Sequence, residues 1–307
     1  MSSNSSSPTF RTAVVRTPGG PDSIEIIEVP VVEPGPGQVR VGVAAAPVNP
    51  VDLATAAGLF HGMGIIRQPR HTGLGAEFAG TVVAVGPGVD LPVGSRVAGM
   101  IGGFDRDYGA YAEQLVVSAA DLAVVPEDLD LATAATVALN GVTAAQIVDL
   151  LGDGAGRRLL VTGAAGTVGA YVVALAQHRG WRVTGLARFE DEAFVRDLGA
   201  GFSASAEPGW DAVADCAALM DQSLALVRDG GLFVGVRPGF SPSDTRGVAV
   251  RTVEVHPDPT ELARLLDLAA SGDLPLRVHA VVSLDEVAAA HRAVAKGGVR
   301  GKYVIRP

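Results

Sequence analysis

A short apolar strand, three glycines three residues apart and a helix of small residues follow one another in RRLLVTGAAGTVGAYVVALAQHRG, residues 157–180. That order leaves few folds open. Gly163, Gly166 and Gly169 stand where a strand must turn sharply into a helix. Residues without a Cβ permit both the turn and a close approach of backbone to a ligand. The free amides at a helix N-terminus then attract a phosphate. The spacing is G-x-x-G-x-x-G rather than the commoner G-x-G-x-x-G, so the motif alone is weak. A second strand expected at Arg182–Ala187 completes a βαβ unit and gives it context. Gly163, Ala165, Gly166, Thr167 and Val168 at the turn, with Gly185 in the second strand, are the expected dinucleotide contacts. A glycine-rich turn between buried elements is the alternative reading of the same residues.

Length and composition set the frame. The 307 residues, 48% apolar and 19% charged with 39 glycines, fit an α/β protein of one large or two ordinary domains. A net charge of −9 without a basic run argues against nucleic acid as a partner. A polyanionic cofactor must therefore be held by amides and a few chosen cations. Cys216 is the single cysteine, which excludes an internal disulfide and a cysteine-rich zinc site. In the apolar run 212–218 it reads as a buried small side chain rather than a reactive thiol. The polar start MSSNSSSP is expected to be a disordered tail, residues 1–9, and not a secretory signal. Residues 159–177 carry no charge, yet their central glycines favour strand, turn and helix over a membrane span. The expectation is a cytoplasmic protein without a membrane partner.

The texture of the chain changes near Pro126. Before it, Val39–Val43, Gly80–Val85 and Ser95–Met100 read as strands between Pro/Gly turns. After it, Arg158–Thr162, Arg182–Ala187, Ala212–Cys216 and Gly231–Val236 alternate with helices, the signature of a parallel sheet. Asp258 with Glu261, and Ser283 with Glu286, mark helix starts, and Gly297-Gly298 marks a helix end. The terminal GKYVIRP reads as a strand that returns to the first domain. His256, His279 and His291 have no ligand spacing and read as ordinary.

Five segments in this order, PVNPVDLATAAGLF (47–60), GAEFAGTVVAVGPGVDLPVGSRVAG (75–99), GAYAEQLVV (109–117), GAAGTVG (163–169) and HRAVAKGGVRGKYVI (291–305), carry a resemblance. Together they resemble the zinc-independent quinone oxidoreductase (zeta-crystallin-like) branch of the medium-chain dehydrogenase/reductase superfamily, over nearly the whole chain. The resemblance implies a GroES-like β-rich domain, residues 10–125 and 280–307, with a doubly wound Rossmann domain, 126–279, inserted into it. It places the cofactor in the cleft between the two and implies a homodimer. Zinc-dependent members carry G-H-E where this chain has Gly75-Ala76-Glu77, so with one cysteine no metal is expected. The enoyl-thioester reductases of the branch place a tyrosine where Phe60 stands. Ala54 and Ala56 occupy positions often held by Tyr and Arg, which implies a wider, less polar substrate pocket bounded by Ala54, Leu59 and Phe60.

The strand Arg182–Ala187 is followed by Arg188, not by the acidic residue that binds an NAD ribose. A cation there suits a 2′-phosphate, so NADPH is the expected cofactor. Capping of the following helix is the alternative for Arg188. The family likeness sets Asn49 of N-P-V-D beside the nicotinamide and Thr143 of NGVTAA along the cofactor, while Asp52 reads as a helix cap. It also brings Arg300 and Lys302 of VRGK towards the cofactor. Val234, Gly235 and Val236 end a parallel strand, where ligands gather. His61 and Tyr108 are the candidate proton donors, with solvent as the alternative. The expected reaction is zinc-free hydride transfer from NADPH to a hydrophobic quinone or α,β-unsaturated carbonyl compound. The rival from another class is a non-catalytic NADPH-binding structural or regulatory protein.

Overall fold

Of the strands expected before Pro126, Val39–Val43 and Gly80–Val85 lie within longer ones, and Ser95–Met100 begins one residue later, at Arg96. A computed structural model describes residues 8–237, 239, 242–243 and 246–307. The first seven residues of the expected tail lie outside the described residues, but Thr9 opens a strand and the Pro8 carbonyl accepts from the Val31 N–H. The first eight strands are β1 Thr9–Val15, β2 Ile24–Pro30, β3 Gln38–Pro47, β4 Thr72–Gly73, β5 Glu77–Val85, β6 Arg96–Met100, β7 Gln114–Ser118 and β8 Leu122–Val124. Along β3, Val39, Val41 and Val43 turn inward while Gln38, Arg40, Gly42 and Ala44 do not. That period of two is what a strand with one buried face requires. Helices α1 Pro50–Ala56, α2 Leu59–Gly62 and α3 Leu131–Ala135 complete this part, and α4 Ala138–Leu151 follows.

Six further strands form one parallel sheet among the described residues: β9 Arg158–Thr162, β10 Arg182–Leu186, β11 Gly201–Ser203, β12 Trp210–Asp215, β13 Val227–Gly235 and β14 Ala249–Thr252. Their order is β11-β10-β9-β12-β13-β14. It reverses direction at β9, the doubly wound arrangement in which ligands lie outside the carboxyl ends of the strands. Helices α5 Thr167–His178, α6 Glu192–Asp197 and α7 Asp221–Leu224 link them. The chain then runs through α8 Pro259–Ser271, β15 Val278–Ser283, α9 Val287–Lys296 and β16 Lys302–Arg306. Asp258 Oδ1 accepts from the Glu261 N–H at 2.9 Å, and Glu286 reaches back to the Ser283 N–H, so both expected caps form.

β16 pairs antiparallel with β3 and parallel with β15, which puts GKYVIRP into the sheet β15-β16-β3-β5-β6-β8. β1, β2 and β4 make a separate three-stranded sheet. Backbone contacts group the chain into two units. One takes the chain up to Leu139 with Pro257–Ala270 and Arg277–Pro307; the other is Asn140–His256 with Ser271–Leu276. The stretch 126–139 thus groups with the β-rich unit because α3 packs on β3, β5 and β6. Phe78, Tyr111, Leu74 and Ile305 are central to the core of that unit, and Leu160, Val213 and Phe233 to a core of the other. Among the described residues no helix is long and apolar enough to cross a membrane.

Candidate active site

Asn49 ends the run after β3 in an extended conformation, and Pro50 fixes the first turn of α1 behind it. The Asn49 N–H donates to Asp52 Oδ2 at 2.9 Å, so Asp52 serves as the cap its position suggests. The Asn49 amide itself is 2% exposed and spans two charges. Its Nδ2 donates to Glu77 Oε1 at 2.8 Å, and its Oδ1 accepts from Lys302 Nζ. Glu77 Oε2 accepts from the Leu139 N–H at 2.6 Å, at the start of α4. Tyr111 Oη donates to Asp52 Oδ2 at 3.0 Å. Arg106 ties the loop after β6 to this strand end, donating to the Gly103 carbonyl at 2.7 Å and the Gly75 carbonyl at 2.9 Å.

Low solvation governs the charges here. Burial pushes the Glu77 carboxyl up to about 7, against the pull of Lys302 and the hydrogen bonds from Asn49 and Leu139. Burial also raises Asp52, offset by its bond from the Asn49 N–H and by the charges of Arg106 and Lys302. The Lys302 ammonium is pushed down by burial and held up by Glu77 and Asp52. Lys302, expected as a cofactor contact, thus lies in a buried cluster of carboxylates and an amide. Its partner in the VRGK motif, Arg300, turns back to the Gly298 carbonyl at 3.0 Å.

The other expected residues of this unit part company. His61 on α2 is hydrogen-bonded through Nε2 to Thr72 Oγ1 at 3.1 Å. Tyr108 packs with Phe10, Val29 and Ala112, its ring 6.0 Å from that of Phe10 and 5.7 Å from His71. Phe60 stacks on Phe104 with centroids 4.1 Å apart and planes within 5°. Asp105 Oδ1 accepts from the Arg67 N–H at 3.0 Å, a second tie between the same two segments. Leu59, Met63 and Ile65 are exposed in the same segment of chain as Phe60, and Ala54 is half-buried on α1. Ala56 requires a correction: it is fully buried in the core, because the helical repeat turns it inward, and it opens no pocket.

In the other unit the glycine turn has the geometry of an anion cradle. Gly163 has φ 60°, and Gly166 is the exposed residue that precedes α5. Thr167, Val168 and Gly169 form the first turn, whose N–H groups have no acceptor within the helix. A Cβ on Gly169 would stand 2.2 Å from the Gly163 carbonyl oxygen, so only glycine lets helix and turn close to this distance. The residues present therefore fit a dinucleotide. Ala165 is nearly buried within the turn, and Thr143 is buried on α4. Gly185 is explained by packing, since a Cβ there would meet Ala164 and Val195 at 2.6 and 2.7 Å. Arg188 is exposed just beyond β10, with no hydrogen bond or ion pair for its guanidinium among the described residues. Val234 and Gly235 close β13, and Val236 follows them.

Sequence reading missed what holds this edge of the sheet. Asp215, fully buried at the end of β12, accepts from Thr162 Oγ1 at 2.7 Å, Ser223 Oγ at 2.9 Å and the Met220 N–H at 2.8 Å. It fixes a loop in which Ala218 and Met220 both have positive φ. The only hint was an acidic residue ending an apolar strand. Cys216 beside it is half-buried, and burial with the Asp215 charge raises its thiol above the ordinary range. Among the described residues no three His, Cys, Asp or Glu side chains gather as for a metal ion.

Two family models match the chain: "Alcohol dehydrogenase GroES-like domain" over residues 35–127 and "Zinc-binding dehydrogenase" over residues 188–305. A polyketide synthase of Streptomyces halstedii, GfsB, is 35% identical over 255 residues, 78% of this chain but 4% of the synthase. The 2-haloacrylate reductase of a Burkholderia species is 37% identical over 192 residues, 61% of this chain and 56% of that enzyme. The chain therefore spans less than two thirds of the length of either relative. Among solved structures, the quinone oxidoreductase of Coxiella burnetii superimposes with a TM-score of 0.87 at 25% identity, covering 98% of this chain and all of that one.

Proposed function

The chain belongs to the medium-chain dehydrogenase/reductase superfamily, in its quinone oxidoreductase-like branch, and we propose that it reduces a hydrophobic conjugated carbonyl compound, an enone or a quinone, with NADPH. The bound nicotinamide would supply the hydride. The glycine turn at Gly163–Gly169 would hold the pyrophosphate on its free amides, with Val234–Val236 bordering the ring and Thr143 along the nucleotide. The observation that carries the reading is the buried cluster around Asn49. Its Lys302 ammonium is a donor in a dry setting, suited to the negative charge that develops on a carbonyl oxygen. His61 and Tyr108 are engaged elsewhere, so the proton that completes the reduction, taken up at the α-carbon of an enone or at oxygen in a quinone, is assigned to water. The stacked Phe60 and Phe104 with Leu59 favour a flat apolar substrate.

The test is NADPH oxidation at 340 nm across a panel of quinones and enones, with NADH and a zinc chelator as controls. Turnover confined to conjugated carbonyl compounds and insensitive to chelation supports the reading. Tight NADPH binding with no turnover would move the weight to a non-catalytic binding protein.

NADPH preference rests on the unpaired Arg188. Arg188→Ala is expected to raise KM for NADPH by about tenfold or more, the order of a lost charge-assisted phosphate contact, and to leave KM for NADH within about twofold. Equal changes with both cofactors would remove Arg188 from this role. A homodimer joined through the outer edge of the parallel sheet at β14 completes the proposal. Light scattering at the mass of one chain would exclude it.

A further inference from the structure

We infer that Glu77 is a positioning residue of this site: its carboxylate, bound between the Asn49 amide and the Leu139 N–H, fixes which end of that amide meets Lys302. The inference rests on the reading of the Asn49 cluster proposed above. An asparagine amide has two faces of opposite polarity, and its partners decide which way it points. An ionised carboxylate only accepts hydrogen bonds, so Glu77 Oε1 selects the Nδ2 end of Asn49 at 2.8 Å. That choice leaves Oδ1, the acceptor end, facing the Lys302 ammonium. The reversed amide would set its NH2 against the ammonium and its oxygen against the carboxylate, two repulsive contacts in a site where Glu77 is wholly buried. The second oxygen of Glu77 is committed to the Leu139 N–H at 2.6 Å, which stops the carboxyl from rotating away. Glu77 thus acts on Lys302 through Asn49.

Every charged group around Glu77 bears on its ionisation. Lys302 on β16 and the hydrogen bonds from Asn49 and Leu139 favour the carboxylate, while burial and the Asp52 carboxyl on α1 oppose it. Arg106 after β6 and Tyr111 before β7 act on Asp52. The balance puts the titration near neutral pH, where loss of the charge would release the amide.

The test uses the full chain. Glu77→Gln keeps the shape, but its amide can satisfy Leu139 only by turning its NH2 towards Asn49, which drives that side chain to flip. The expected result is a fall in kcat of about tenfold or more with KM for the carbonyl substrate within about twofold, since orientation rather than binding is lost. Asn49→Asp alone sets two carboxylates face to face and also loses activity. The double exchange E77Q with N49D restores every donor–acceptor pair: the new amide donates to the new carboxylate, which still accepts from Lys302. Its kcat is expected to recover to within about threefold of the starting enzyme.

The ¹³Cε resonance of Lys302, followed against pH, gives a readout apart from turnover. It should show a step near neutral pH in the natural chain and none in Glu77→Gln. An unchanged kcat and pH profile in Glu77→Gln, or a double exchange no better than the worse single variant, would overturn the inference. If the natural chain reduces none of the panel, the proposed function fails while the Lys302 resonance still decides the role of Glu77.

Discussion

Gly169→Ala is expected to lose fold stability and nucleotide binding together. The added methyl group would lie 2.2 Å from the Gly163 carbonyl oxygen, 2.8 Å from its carbon and 3.0 Å from Ala164 Cα. All three are backbone atoms of one tight turn, so no side chain can swing aside. Helix α5 must move off the end of β9 or the turn must open, and either disrupts buried packing around Ala170, Tyr171 and Val173. Overpacking of this kind costs about 1–3 kcal/mol, or about 2–5 °C in Tm for a chain of this size. The informative partner is Gly166→Ala. Gly166 has extended φ −81° and ψ 167°, is exposed, and its added Cβ would meet only the Gly163 carbonyl at 3.2 Å. Its Tm is expected to fall by no more than about 2 °C, since alanine in place of glycine at a helix N-cap costs about 0.5–1 kcal/mol. Its methyl group stands at the mouth of the cradle, so NADPH affinity should fall about tenfold or more. Thermal unfolding and NADPH fluorescence titrations on both variants separate a phosphate cradle from a glycine turn that only packs. Unchanged affinity in Gly166→Ala would leave the packing role alone.

These two glycines also mark the limit of what the sequence tells. Their spacing, the strand before them and the helix after them are local signals, and β9 occupies the expected residues Arg158–Thr162. The caps at Asp258 and Ser283 were legible for the same reason, since capping is decided within four residues. The hairpin of β1 and β2 leaves little local signal. The register from Thr9 opposite Pro30 to Val15 opposite Ile24 spans an eight-residue connection, and β2 buries only Val29. A strand mostly open to one side leaves a weak apolar pattern. The cluster around Asn49 is less legible still. Asn49 and Lys302 stand 253 positions apart, and Tyr111 and Asp52 stand 59 apart. The only local trace was one acidic residue, Glu77, at the head of the otherwise uncharged strand EFAGTVVAV. Ala56 shows the converse error. Position on a motif suggested a pocket, whereas the turn of α1 that carries Ala56 faces the core.

His291, which reads as ordinary in the sequence, carries the second large expectation. It is fully buried on α9, edge-on to Tyr111 at 5.7 Å, and neither ring nitrogen has a hydrogen-bond partner among the described residues. Burial pushes its pKa down to about 4, so the folded protein holds a neutral imidazole that the unfolded chain protonates below about 6.5. Its contribution to stability is complete above pH 6.5 and is lost as pH falls towards 4. Glu77 has the opposite sign. Its carboxyl is raised to about 7 from an ordinary 4.5, so its contribution is complete below 4.5 and is lost as pH rises through 7. Each shift corresponds to about 3 kcal/mol over its window. The lowered His71 adds to the first pull and the raised Asp52 to the second.

Between pH 4.5 and 6.5 the two windows overlap and oppose each other, so the natural chain should show a shallow dependence of stability on pH there. Removing one partner exposes the other. His291→Leu, close to volume-conserving and free of the proton, should grow more stable from pH 7 to pH 5 by about 2 kcal/mol. Glu77→Gln should lose a similar amount over the same interval. Urea unfolding of the three proteins at pH 5 and pH 7 reads the slopes directly. Parallel profiles for both variants would mean that neither group titrates as its burial demands, and opposite tilts would place two compensating proton sites in one β-rich unit.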